Sequence, residues 1–165
     1  AIKPAALKST NKAIGILATR GTLSSELFAQ TSELYTKDIQ VVEVEGNGLV
    51  ELIEAGKTNT PEMIGLLQHL LNPMLDARID YLVLGCSHYP YLIPVLQEIL
   101  PDTVKIIDSG EAVAKQTKII LAGRDLLNDN PEAISNSFYS NSNPDVLSSI
   151  ISSGEQNYKV ETLDF

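Results

Sequence analysis

The sequence predicts an α/β fold with a mainly parallel sheet flanked by helices. Three observations carry this. Short apolar segments rich in branched residues alternate with helix-like stretches of 3.6-residue periodicity. The links between them are short, as expected where each helix returns the chain to start a parallel strand. Hydrophobic residues make up 44% of the 165-residue chain, enough to cover a sheet on both faces.

Taken in order, "AIGILAT" at 13–19 reads as a buried strand. Arg20-Gly21 forms a turn, and Thr22 is placed to cap a helix over 23–35 with Leu23, Leu27 and Leu34 inward. "DIQVVEVEG" at 38–46 alternates, which suits an edge strand, and a short helix over 48–55 ends at Gly56. The clearest helix follows: Thr60 caps it, Pro61 takes its first position, and Met63, Leu66, Leu67, Leu70 and Leu71 trace one face. Pro73 is expected to kink or divide it, and His69 falls on its solvated side. "DYLVLG" at 80–85 is a third strand, 91–100 a helix, "TVKIID" at 103–108 a fourth strand, and Ser109 caps a helix over 111–122. Beyond Gly123 the chain turns rich in Asn, Ser and Asp. It keeps a weak strand at "SFYS", a modest helix after Pro144 and a last alternating segment, "YKVETLDF". This third is too poor in apolar residues for a core of its own and needs a surface to pack against.

A net charge of −9 argues against nucleic acid or anionic membrane as partners. One cysteine excludes an intrachain disulfide and a cysteine-rich metal site. With no secretory signal and no apolar run of membrane-spanning length, a soluble cytoplasmic protein is expected.

Ligands of open α/β sheets bind beyond the carboxyl ends of the strands, and three such ends carry unusual polar residues. In "ATRGT", Thr19 and Thr22 flank a turn where hydroxyls and helix amides suit a carboxylate or phosphate; taken alone, plain helix capping is the favoured reading, accounting for Thr22 completely and leaving Thr19 an ordinary strand residue. In "EGNGLVELIE", Gly46 and Gly48 make half of a dinucleotide fingerprint, but Glu51 occupies its third small position, so nucleotide binding is unsupported. Glu54 lies a turn into that helix and can point back toward the strand ends. In "GCSHYP", Cys86 precedes a helix N-terminus, whose dipole favours thiolate, and His88 can exchange a proton in the same pocket. Free cysteine is also a frequent inert core residue, and placement alone leaves both readings open.

These residues resemble a family. "LVLGCSHYPYL" followed by "VKIIDSGEAVAKQT" resembles the second half of bacterial glutamate racemases, of the aspartate/glutamate racemase family, with their L-G-C-T-H-Y-P pattern. "AIGILATRGT" looks like the family's A-T-x-x-T segment, "GLVELIEAG" like the segment before its functional glutamate, and "AIKPAALKST" like the linker into its second domain. The match is firm over about 1–122 and loose afterwards.

The resemblance implies cofactor-independent, two-base interconversion of L- and D-glutamate for peptidoglycan, with no metal. Inverting Cα requires a proton removed on one face and returned on the other. On this reading Cys86 is the second catalytic cysteine, His88 its assisting histidine and Glu54 the glutamate behind that histidine. Ser87, where the family usually has threonine, and Thr19 and Thr22 contact the substrate. The family's D-S-G-x-G-G and C-N-T motifs are not among these 165 residues, and the Asp108-Ser109-Gly110 stretch matches a different segment. The expectation is therefore a second racemase domain over 1–110 and a segment, 111–165, returning to a first domain, with the chain inactive alone and self-association as one way to order that segment. An aspartate-type racemase and a non-catalytic carboxylate-binding or assembly module are the alternatives.

Overall fold

A computed structural model describes residues 1–128, 136–151 and 158–165. Four strands, β1 (Ala13–Ala18), β2 (Gln40–Glu45), β3 (Tyr81–Gly85) and β4 (Lys105–Ile107), form one sheet in the order β2-β1-β3-β4. Every pairing in it is parallel. β2 is the edge strand that its alternation suggested.

Helices cover both faces. On one lie α4 (Leu49–Glu54), α5 (Pro61–Asp76) and α6 (Ile93–Ile99), where Leu49, Met63, Leu67, Leu71, Met74 and Leu96 pack against Leu17, Leu82 and Leu84. On the other lie α1 (Ile2–Lys8), α2 (Arg20–Leu23) and α3 (Glu26–Tyr35), packing Ile2, Ala5, Leu23, Phe28 and Tyr35 against Ile14, Ile16, Tyr81 and Val83. The alternation along β1 and β3 thus sends apolar side chains to both sides, so those strands read as continuous apolar runs.

Several local expectations are corrected. Thr22 does not cap the long helix. Ser25 does, accepting the Phe28 amide at 3.2 Å, while Thr19 opens the short α2. α3 packs Phe28 and Tyr35 against the sheet, and Leu27 and Leu34, one residue off that face, are left 74% and 63% exposed. Pro73 does not divide α5. It faces solvent, where water can satisfy the carbonyl it leaves unpaired, while Leu71 and Met74 on either side are anchored in the core. The helix after the cysteine motif begins at Ile93, preceded by a 3₁₀ turn at Tyr89–Leu92. Ser109 makes no side-chain cap for α7 (Gly110–Ala122); Asp108 Oδ1 takes the Gly110 amide at 2.6 Å instead. The N-terminal stretch, read only as a linker, forms the helix α1, which buries Ile2, Ala5 and Ala6. α4 does end at Gly56 as expected, with the Gly56 and Lys57 amides closing back on Ile53 and Leu52.

The later chain forms β5 (Asn136–Ser140), α8 (Pro144–Ile151) and β6 (Tyr158–Thr162), whose two strands pair with each other in parallel and apart from the main sheet. α7 buries none of its residues and leaves Val113 60%, Ile119 64% and Ile120 46% exposed.

One buried carboxylate ties α1 to the sheet. Asp80, at the mouth of β3, accepts the Ser9 hydroxyl at 2.7 Å, the Thr10 amide at 2.6 Å, the Thr10 hydroxyl at 3.0 Å and the Asn11 amide at 3.0 Å. Burial pushes its carboxyl up, but these hydrogen bonds outweigh it and hold Asp80 below the ordinary carboxylate value. A lowered folded value means stability present above the unfolded pKa of about 3.9 and lost as pH falls through the folded one. Asp80→Asn is expected to cost about 2 kcal/mol in urea unfolding at pH 7. The gap to wild type should close as pH falls from about 7 to about 2, and a constant gap would contradict the assignment.

Candidate active site

β2 lies on one side of β1 and β3 on the other, so the chain leaves the carboxyl ends of β1 and β3 in opposite directions. That switch point opens a crevice. Thr19 follows β1 directly and Cys86 follows β3 directly. The two ends are in register, Ala18 opposite Gly85, and very close: a Cβ on Gly85 would lie 2.7 Å from Ala18 Cβ. Only glycine permits this approach.

The approach explains Thr22. Its hydroxyl donates to the Gly85 carbonyl at 3.0 Å, so it bridges two strand ends and caps nothing. Thr19 and Thr22 hydroxyls lie 3.2 Å apart. With the Thr22 proton directed at Gly85, Thr19 donates to Thr22, and the Thr19 oxygen then presents lone pairs to its surroundings.

Thr19, Thr22, Cys86 and Ser87 line one cleft of about 620 Å³, together with Ser25 and Phe28 from α2–α3 and Ser109 beyond β4. Ser109 had a legible signal, since it follows a strand; Ser25 had none, because its place depends on where α3 begins. Glu54 and His88 line a second cleft of about 320 Å³, whose opposite wall is the Tyr139–Asn143 turn, α8 and Phe165. Cys86 and His88 thus face different clefts and meet at the partition, with Sγ 4.0 Å from Nδ1.

His88 makes three contacts. Nε2 lies 3.1 Å from Glu54 Oε1, while Nδ1 faces Cys86 Sγ and, at 3.4 Å, Ser87 Oγ. When neutral His88 donates Nε2–H to Glu54, Nδ1 is an acceptor turned toward the thiol and the hydroxyl. The side chains of His88 and Glu54 are 30% and 49% exposed, so the pair's value lies in orientation more than in stability. Cys86 is half-buried against the core, and its carbonyl receives the Tyr89 amide at 3.3 Å. The helix after it is separated by the 3₁₀ turn, so the expected full helix dipole is replaced by one short turn. The Gly46–Gly48 stretch, half a nucleotide fingerprint in sequence, joins β2 to α4. Among the described residues no group of three His, Cys, Asp or Glu side chains could hold a metal ion, and no helix is long and apolar enough to cross a membrane.

Residues 1–117 match the family described as Asp/Glu/Hydantoin racemase. The chain belongs to that family. It is 43% identical over 151 residues to a glutamate racemase of Pseudomonas putida, covering 92% of this chain and 57% of that protein. Its fold is similar to that of glutamate racemase isoform RacE1 from Bacillus anthracis, with TM-score 0.80 and 26% identity over 99% of this chain and 61% of the other. It is equally similar, at TM-score 0.80 and 28% identity, to Escherichia coli glutamate racemase in complex with L-glutamate and the activator UDP-MurNAc-ala, covering 99% and 62%. The chain spans rather more than half the length of these relatives.

In this racemase-family chain the β1–β3 approach is testable without substrate. Gly85→Ala is expected to cost about 1–3 kcal/mol through its overlap with Ala18. Thr22→Val should cost about 1 kcal/mol through the lost bond to Gly85. Urea unfolding measures both, and a neutral Gly85→Ala would contradict the close approach.

Proposed function

We propose that this chain supplies one face of a glutamate racemase site, with Cys86 as one of two bases acting across Cα. The observation that carries this reading is the convergence of Thr19, Thr22, Cys86 and Ser87 on one cleft at the β1–β3 switch point, in a chain of the racemase family. The resemblance of its cysteine motif to that of glutamate racemases supports glutamate as the substrate.

The geometry suits proton transfer. Glu54 fixes His88 with Nε2–H outward, and Nδ1 receives the proton of Cys86, so that thiolate and imidazolium stand side by side with Glu54 behind the positive charge. The thiolate takes the Cα proton from one enantiomer, becoming a thiol. A second acid on the opposite face returns a proton to Cα to give the other enantiomer, and the reverse reaction exchanges these roles. Thr19, presenting lone pairs, suits the substrate ammonium, and the Ser87 hydroxyl suits a carboxylate. As the family resemblance implies, the reaction proposed is cofactor-independent.

The family resemblance makes the opposing base a second cysteine, and the chain has only one, so on this reading that base comes from outside these 165 residues. The apolar side chains that α7 exposes, Val113, Ile119 and Ile120, suit a segment from residue 111 onward that packs against the protein carrying that base. The product fits peptidoglycan precursor synthesis in the cytoplasm.

The decisive experiment follows Cα–H exchange in deuterium oxide with each glutamate enantiomer. The 165-residue chain is expected to exchange the Cα proton slowly without inverting the centre, and Cys86→Ala to abolish even that. Appreciable racemisation by this chain would sink the two-base assignment. Exchange of aspartate outcompeting glutamate would shift the substrate to the smaller acid, and glutamate binding that survives Cys86→Ala with no exchange in wild type would favour a binding module.

A further inference from the structure

The cysteine motif contains a residue that this chemistry leaves unused. Tyr89 directly follows His88, yet its side chain is fully buried, while that of His88 is partly exposed. Its hydroxyl donates to the carbonyl of Gly46 at 3.1 Å. Gly46 extends the β2–β1 ladder, its amide bonding Ala18 O at 2.9 Å, and its carbonyl also receives the amide of Leu49, the first residue of α4, at 3.3 Å. α4 is the helix that ends on Glu54. Tyr89 therefore joins the residue beside His88 to the root of the helix carrying Glu54.

The fit leaves no slack. A methyl group on Gly46 would overlap the phenol oxygen of Tyr89 and lie 2.9 Å from its Cζ and 2.8 Å from Leu49 Cδ1. Burial, together with negative charge on Cys86, Glu51 and Glu45, pushes the phenol well above its usual range, so it keeps its proton and remains a donor. The Glu54–His88 bond, by contrast, is solvent-screened and too weak to hold two loops in place. A buried hydrogen bond in a packed core is the stiffer element, and the exposed pair follows it.

We propose that Tyr89 is a positioning residue whose bond to Gly46 fixes the β3 loop against α4, so that His88 meets Glu54 through Nε2 and faces Cys86 through Nδ1. This rests on the roles given above to Cys86, His88 and Glu54. It assigns Tyr89 no contact with substrate.

The chain is well suited to a test, with a single cysteine and only two histidines. The two readouts on the 165-residue protein are the rate of Cys86 alkylation by iodoacetamide at neutral pH and the ring C–H NMR signals of His88, with His69 as internal control. Tyr89→Phe, with folding checked by circular dichroism, is expected to slow alkylation about threefold to tenfold. It should also move the His88 signals toward their positions in Glu54→Gln while leaving those of His69 in place. Because both substitutions act through one contact, Tyr89→Phe should add little in a Glu54→Gln background, where a merely structural role would add in full. Gly46→Ala, which forces the loops apart with the tyrosine intact, should reproduce both changes and carries the test if Tyr89→Phe does not fold. If His88→Ala and Glu54→Gln slow alkylation but folded Tyr89→Phe does not, the positioning role alone is overturned. If His88→Ala and Glu54→Gln leave the rate at the wild-type value, the histidine-assisted thiol reading fails and the positioning role falls with it.

Discussion

The approach of β1 to β3 at their carboxyl ends is the constraint on which the rest of the molecule depends. Ala18 and Gly85 sit opposite one another at a separation that admits no side chain on residue 85. The strand order places β2 beyond β1 and β4 beyond β3, so the chain departs from these two ends in opposite directions. A crevice is the unavoidable result, and whatever residue follows each strand is delivered to it. Thr19 and Cys86 are those residues. Thr22 then closes the junction by donating to Gly85, converting a backbone contact into a polar, hydrogen-bonded floor.

A second consequence concerns the division of labour between stiff and soft contacts. The helices on the α4–α6 face are held by fully buried leucines and methionines, and Tyr89 belongs with them. The polar groups of the site are only half-buried, and their bonds to one another are long or screened. Such groups cannot set their own geometry. They inherit it from the core beneath, and a site of this kind gains precision from residues that never reach its surface. The partition between the two clefts shows the same logic: Cys86 opens on one side and His88 on the other, yet consecutive backbone geometry keeps sulfur and nitrogen within reach of each other.

Much of this was legible in the residues. The apolar runs of β1 and β3 announced strands buried on both faces, Thr60-Pro61 announced the start of α5, and five of the six candidate site residues follow β1 or β3 within four residues, while Glu54 ends α4. What was misread depended on alternatives of nearly equal local energy. Thr22 and Ser25 are both good helix caps, three residues apart, and local preference does not choose between them. Packing of Phe28 and Tyr35 under the sheet does, and it turned Leu27 and Leu34 outward as a result. Pro73 looked like a break because the intrinsic cost of an internal proline is large. Burial of Leu71 and Met74 on either side outweighs it.

The sequence by itself determined the fold class, the strands and the residues placed after them, because side-chain periodicity and turn chemistry are local properties of the chain. Only the tertiary structure decided which strand ends are neighbours and that Thr22 serves Gly85 rather than a helix, and it gave the Glu54–His88 pairing implied by the resemblance its 3.1 Å geometry. Those pairings arise from the order of strands and the packing of helices across them, and no short stretch of sequence encodes either. Tyr89 stands at the boundary of the two. The sequence places it beside the histidine, but only its burial against Gly46 makes it part of the site's foundation.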